Sequence, residues 1–108
     1  MLIFRADWCP PCAPLVDELS SGGGSWPDSG AVICAIDAEG SPGGASARST
    51  GIRHAVLLDR RLLTDLRIEV LPTTLVLDRS GAVAARFEGY CAGLGAEVRK
   101  KAAEVWAE

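Results

Sequence analysis

Four short apolar runs set the fold of this chain, because each is bounded by a residue that ends it. Leu2-Ile3-Phe4 leads into Ala6-Asp7-Trp8, Ala31 to Ile36 ends at Asp37, His54 to Leu58 stops at Asp59, and Thr73 to Leu77 meets Asp78. Continuous apolar runs of that length read as strands buried on both faces. Between them the period changes. Leu15, Val16 and Leu19 share one helical face, Leu62, Leu63 and Leu66 suggest a short helix before Pro72, and Leu94, Val98, Ala102, Val105 and Trp106 carry a closing amphipathic helix. Asp78-Arg79-Ser80-Gly81 is a turn, with Ala82 to Phe87 as the hairpin partner of the fourth run. The order is β-α-β-(α)-β-α-β-β-α, with at most a weak helix in the Gly- and Ser-rich stretch 38–51. Alternation of strand and helix predicts an α/β fold with a mostly parallel central sheet and helices on both faces. The terminal hairpin adds an antiparallel edge strand.

At 108 residues the chain has room for one domain, 1–108, with no internal repeat and no linker. The 11 basic and 14 acidic residues leave a net charge of −3, which argues against a nucleic-acid surface. No apolar run approaches the roughly 20 residues of a membrane span, and Met1-Leu2-Ile3-Phe4-Arg5 is too short for the apolar core of a secretory signal. The expected location is therefore cytoplasmic for the chain as written, or extracytoplasmic if residues precede it. The expected state is a monomer.

Four cysteines are too few for a disulfide scaffold and more than packing needs. Cys9 and Cys12 form a Cys-x-x-Cys pair, whereas Cys34 and Cys91 stand alone. With no second close pair and one distant histidine, His54, a structural zinc site is disfavoured. The pair sits where the first strand gives way to a helix, the end of an α/β sheet at which sites gather. Cys9 at the helix N-cap would have its thiolate favoured by free N–H groups and the helix dipole. Moving a thiol pKa from about 8.5 to about 7 raises the thiolate fraction at pH 7 from roughly 3% to roughly half. Cys12, a turn further on, is shielded by its own helix. Cys9 is thus expected to attack and Cys12 to resolve. Pro10 and Pro11 lack N–H groups, leaving those of Cys12 and Ala13, so the stabilisation should be moderate and the couple reducing. No cofactor is required, because the cysteines carry the electrons. A metal clip at Cys9 and Cys12 is the minor chemical alternative.

Trp8-Cys9-Pro10-Pro11-Cys12 after an apolar strand, with Leu71-Pro72-Thr73-Thr74 opening a later one, resembles the thioredoxin-like superfamily. Val56 to Asp59 and Leu71 to Gly81 resemble its TlpA/ResA type, and the likeness runs from Leu2 to about Trp106. It implies a thiol–disulfide oxidoreductase acting as a protein-disulfide reductase. Its partners would be protein or peptide disulfides and an upstream dithiol reductant, with no nucleic acid. It also implies a cis-proline at Pro72 facing the sulfurs. Leu71 and Thr73 would line the substrate segment, Trp8 would flank Cys9, and Gly89 would match a glycine near the end of the last strand. The alternative is a thioredoxin-fold peptide-binding or redox-sensing module without turnover.

The sequence departs from that family in three respects. Ile3 and Leu15 stand where acids assist the buried thiol in the thioredoxin and ResA types. Asp7, Asp17 and Glu18 are nearby but do not match, and proton transfer at Cys12 is left without an owner. Pro14 lies two residues past Cys12 rather than five, which predicts a first helix shorter by a turn. The chain also starts only eight residues before Cys9, as a minimal version or a truncated one. Among the remaining residues, Cys34 is expected in the core, Cys91 exposed and open to a second redox role, and His54 at a strand end. Trp26 should anchor a loop, Trp106 should cover the core, and Lys100 and Lys101 should face solvent.

Overall fold

The computed structural model describes residues 1–6, 9–21, 33–38, 53–57 and 59–106. The elements run β1 (Leu2–Arg5), α1 (Cys12–Ser21), β2 (Cys34–Asp37), β3 (Arg53–Val56), α2 (Arg61–Asp65), β4 (Thr73–Leu77), β5 (Val83–Glu88) and α3 (Leu94–Trp106). Stretch 38–51, apart from Ala38, and Trp26 lie outside the described residues.

The strands form one sheet in the order β3-β2-β1-β4-β5. β1, β2 and β3 are parallel neighbours. β5 is the antiparallel edge partner of β4, with Gly81 at φ +91° in the connecting turn. Asp78 fixes that turn by accepting the N–H groups of Ser80 and Ala82 at 2.8 and 3.1 Å.

Strand–helix alternation does not carry through to β4, which runs antiparallel to β1. The reason is length. A crossover helix must travel back along a whole strand, and α2 has five residues, about 7.5 Å of helix. The chain therefore enters β4 from the end at which it left β3. Beyond α2 it turns sharply at Arg67, a non-glycine residue at φ 55°. Arg86 on β5 holds this corner by donating to the Leu66 carbonyl at 2.7 Å and to the Arg67 carbonyl.

Side chains alternate across the sheet and build two apolar layers. Ile3, Ala35 and Val76 point to one face and pack with Leu15, Val16 and Leu19 of α1 and with Val98, Ala102 and Trp106 of α3. Phe4, Ile36 and Leu75 point to the other, under Leu63, Leu66 and Ile68. Each fully buried Ile, Leu, Val or Phe among them contributes about 1.5–3 kcal/mol. Helices thus cover both faces.

The two long helices lock through polar groups. Arg99 of α3 donates to the Leu19 carbonyl at 2.7 Å, satisfying an acceptor in the last turn of α1. Glu18 accepts the Gly95 N–H at 2.8 Å and the Tyr90 hydroxyl. A Cβ on Gly95 would fall 2.5 Å from the Glu18 Cβ, so the helices touch there only because α3 has no side chain at that point. Trp106 is buried with its indole N–H on the Leu77 carbonyl at 2.9 Å. Lys100 and Lys101 face solvent.

Candidate functional site

β1 ends at Arg5, and a tight turn follows. The Cys9 N–H donates to the Ala6 carbonyl at 3.2 Å, and the Cys12 N–H donates to the Cys9 carbonyl at 3.1 Å. Pro10 and Pro11 occupy the corner and are exposed. The helix therefore begins at Cys12 rather than directly after Cys9, and Cys9 belongs to a 3₁₀-like turn at its entrance. One of the two N–H groups expected to serve the Cys9 sulfur, that of Cys12, is committed to a carbonyl. The Ala13 N–H is the other donor expected to serve it.

Cys9 and Cys12 form a disulfide with a Cα–Cα separation of 5.5 Å. Cys12 is 1% exposed and Cys9 5%, so both are buried and Cys9 is the more exposed residue of the two. Both pack with Ala6 and Leu71. Leu71 comes from the other side of the sheet, brought there by the start of β4. Its carbonyl oxygen lies 3.5 Å from the Cys9 sulfur. In the disulfide this is a contact, and in the dithiol the Cys9 S–H can donate to it. The Leu71–Pro72 peptide bond is cis. The Pro72 carbonyl accepts the Gly89 N–H at 2.8 Å, and Gly89 sits at φ +81° to present that donor.

The residues singled out by the sequence thus gather unevenly. Cys9, Cys12 and Leu71 converge, and Pro72 follows Leu71 through the cis bond. Thr73 is fully buried, and its hydroxyl donates to the Val70 carbonyl at 2.5 Å, so its side chain shapes the segment from inside. Trp8 and Asp7 lie outside the described residues. Of the acids considered as replacements for the missing one, Asp17 is exposed and Glu18 is engaged by Tyr90 and Gly95. Ile3 and Leu15 are fully buried among apolar neighbours.

Two residues carry a feature that the sequence alone does not disclose. Arg5 and Asp37 are 7% and 4% exposed and form an ion pair at 3.5 Å where β1 and β2 end, directly opposite each other in register. Arg5 precedes Ala6, which packs on both cysteines. In sequence Asp37 is only the stop of its strand, and the pairing shows solely as a charge of each sign at the ends of two apolar runs.

Cys34 is half-buried beside the Phe4 layer, short of the full core position expected, and Cys91 is exposed; the two do not bridge each other. The side chain of His54 is not among those described. No cluster of metal-ligating side chains occurs among the described residues. No described helix is long and apolar enough to cross a membrane.

Glu18 has its carboxyl pKa held below the ordinary range, first by the Tyr90 hydroxyl and then by the Gly95 N–H. The stability this contributes is present above the ordinary carboxylate pKa and is lost as pH falls through the depressed one. Tyr90→Phe removes the larger cause. Denaturant midpoints should separate variant from wild type at pH 7 and converge toward pH 3. An equal gap at both pH values would count against the Glu18–Tyr90 link.

No protein-family model matches the chain, and no curated protein does. Solved structures do. The chain superimposes on StoA from Bacillus subtilis with a TM-score of 0.71 and 17% identity, covering 99% of this chain and 80% of that one. For a thiol:disulfide interchange protein DsbE from Chlorobium tepidum the TM-score is 0.73 at 18% identity, covering 98% and 78%. For a thioredoxin-like protein from Porphyromonas gingivalis it is 0.72 at 19% identity, covering 97% and 73%. Identities this low speak to architecture. Together with the sheet order and the cysteine pair at the entrance to α1, they establish that this chain has the thioredoxin-like fold.

Proposed function

We propose that this chain is a thiol–disulfide oxidoreductase that reduces protein or peptide disulfides. The observation that carries the proposal is the Cys9–Cys12 disulfide at the start of α1, packed against the Leu71 carbonyl beside Pro72. In the reduced form the Cys9 thiolate attacks a substrate disulfide; a Cys9–substrate bond forms and the first substrate thiolate leaves. The Cys12 thiolate then attacks Cys9, forming the Cys9–Cys12 disulfide and releasing the second substrate thiolate. Both leaving thiolates take up protons from solvent. An upstream dithiol protein returns the two electrons. Leu71 offers backbone groups to an extended substrate, as a strand adds to a sheet edge.

Supporting the assignment, a fold neighbour is named as a thiol:disulfide interchange protein. Another, from Streptococcus pneumoniae, is named as an exposed lipoprotein thioredoxin. That supports an extracytoplasmic setting for this chain too.

The test is covalent capture. Cys12→Ser, incubated with extract from the source cell, should accumulate mixed disulfides at Cys9, identified by mass spectrometry under non-reducing conditions. Wild type should turn over a protein disulfide with a thiol reductant. Neither capture nor turnover would sink the assignment and leave a peptide-binding or sensing module. The apolar burial of Ile3 and Leu15, where an acid would assist turnover, is what favours that second reading. Equilibration with glutathione tests direction: a potential near that of the strong oxidants, about −120 mV, would refute a reducing couple.

A further inference from the structure

Cys12 must lose a proton to resolve a mixed disulfide, and no described acid is placed to take it. A polar group does stand on the correct side of the sheet, at Thr74. Its hydroxyl oxygen is fully buried and has no hydrogen-bond partner among the described residues. A buried hydroxyl left unpaired costs about 1–3 kcal/mol, which a fold does not carry without return. The buried Nε of Arg99 is a different case, because its guanidinium already binds carbonyls of α1.

The position of Thr74 follows from register. It lies directly opposite Ile3 on β1 and Phe87 on β5, and directly opposed residues of antiparallel strands share a face. Ile3 and Phe87 both belong to the layer under α1 and α3. The Thr74 side chain is therefore on the α1 side, two residues past Pro72. Ile3 and Leu15 belong to the same apolar layer, and Leu15 follows Cys12 by three residues, about one helical turn, along α1. The hydroxyl thus lies in the layer that α1 covers, and a single water can bridge two polar groups.

We propose that Thr74 is the positioning residue for the Cys12 proton. Its hydroxyl holds one water that hydrogen-bonds the Cys12 sulfur. The Cys12 S–H gives its proton to that water, which passes it on to solvent, while the Thr74 hydroxyl keeps its own proton and holds the water by a hydrogen bond against the thiolate. The Cys12–Cys9 bond then forms as the Cys9–substrate bond breaks, and the departing thiolate is protonated from solvent. Thr74 ends as it began, and no further oxidant or reductant enters. The physiological meaning of this role rests on the oxidoreductase reading above. The chemistry itself needs only the two cysteines.

The test uses an aromatic disulfide that releases a coloured thiolate, 5,5′-dithiobis(2-nitrobenzoate), on full-length reduced protein in a Cys34→Ala/Cys91→Ser background. The first release reports attack by Cys9, and the second reports resolution by Cys12. Thr74→Val keeps the shape and removes the hydroxyl. It should leave the first release unchanged and move the pH midpoint of the second upward by about one unit, a roughly tenfold slowing near neutrality. Thr74→Ser should restore both. Thr74→Val should also be at least as stable as the parent, because it buries no unpaired oxygen. A wild-type pH midpoint for the second release in Thr74→Val would overturn the proposal, as would failure of Thr74→Ser to rescue it. A correct result here, with no partner captured from extract and no turnover of a protein disulfide, would refute the assigned function while leaving the role of Thr74 intact.

Discussion

Replacing Asp37 with Leu is expected to lower the unfolding free energy by about 3–5 kcal/mol, because it removes the ion-pair partner of the buried Arg5 guanidinium. Single domains are stable by only about 5–15 kcal/mol, so this one change takes a large share of the total. The size comes from asymmetry. Attraction between buried charges largely repays the cost of taking both out of water, and the pair has little net value. Removing one partner leaves the full cost of the other. Arg5→Met/Asp37→Leu should therefore recover most of the loss. Urea midpoints of the two single variants and the double give the coupling directly. Additive losses would mean that the two charges do not depend on each other. The pair also borders the site: Arg5 is followed by Ala6, which packs on Cys9 and Cys12. The single variants should accordingly show faster alkylation of the reduced cysteines as the turn loosens, and the double should not.

That pair marks the limit of what the residues disclose by themselves. Elements governed by local chemistry are legible. Thr73 to Leu77 forms a strand over the span its β-branched and apolar residues indicate, and α3 follows the period of Leu94, Val98, Ala102 and Trp106. The cysteine pair is legible for the same reason, since strand, turn and helix follow one another in sequence. Facts that depend on distant partners are not. The direction of β4 depends on how far α2 can travel, which apolar pattern does not report. Arg5 sees Asp37 across 32 positions, and each alone looks like an ordinary strand terminus. Thr74 is the sharpest instance. Within Pro72-Thr73-Thr74 the two hydroxyls are indistinguishable by type. Only the pleat sends one to the Val70 carbonyl and the other, unpartnered among the described residues, to the layer beneath α1.

Ile3→Asp is expected to make folding strongly pH-dependent, because it puts an acid at the position where the family resemblance implies one but the surroundings are apolar. Ile3 is fully buried among Leu15, Val16 and Val76. A carboxyl in such a place has its pKa raised, by about three units or more for full burial. The sign then follows. Between the ordinary pKa and the raised one, the folded state holds a proton that the unfolded state has lost, so stability falls as pH rises through that window. Three units correspond to about 4 kcal/mol. Ile3→Asn controls for shape and loses stability without titrating. The two variants should be nearly equal near pH 4 and diverge by about that amount near pH 8, where cooperative unfolding of Ile3→Asp should be weak or absent. A gap that stays constant with pH would mean that the carboxyl is as well solvated in the folded state as in the unfolded one. Adding Thr74→Val to Ile3→Asp carries the argument one step further. If the Thr74 hydroxyl, on the same face as position 3, donates to the new carboxylate, removing it should widen the gap at pH 8 and leave it unchanged at pH 4.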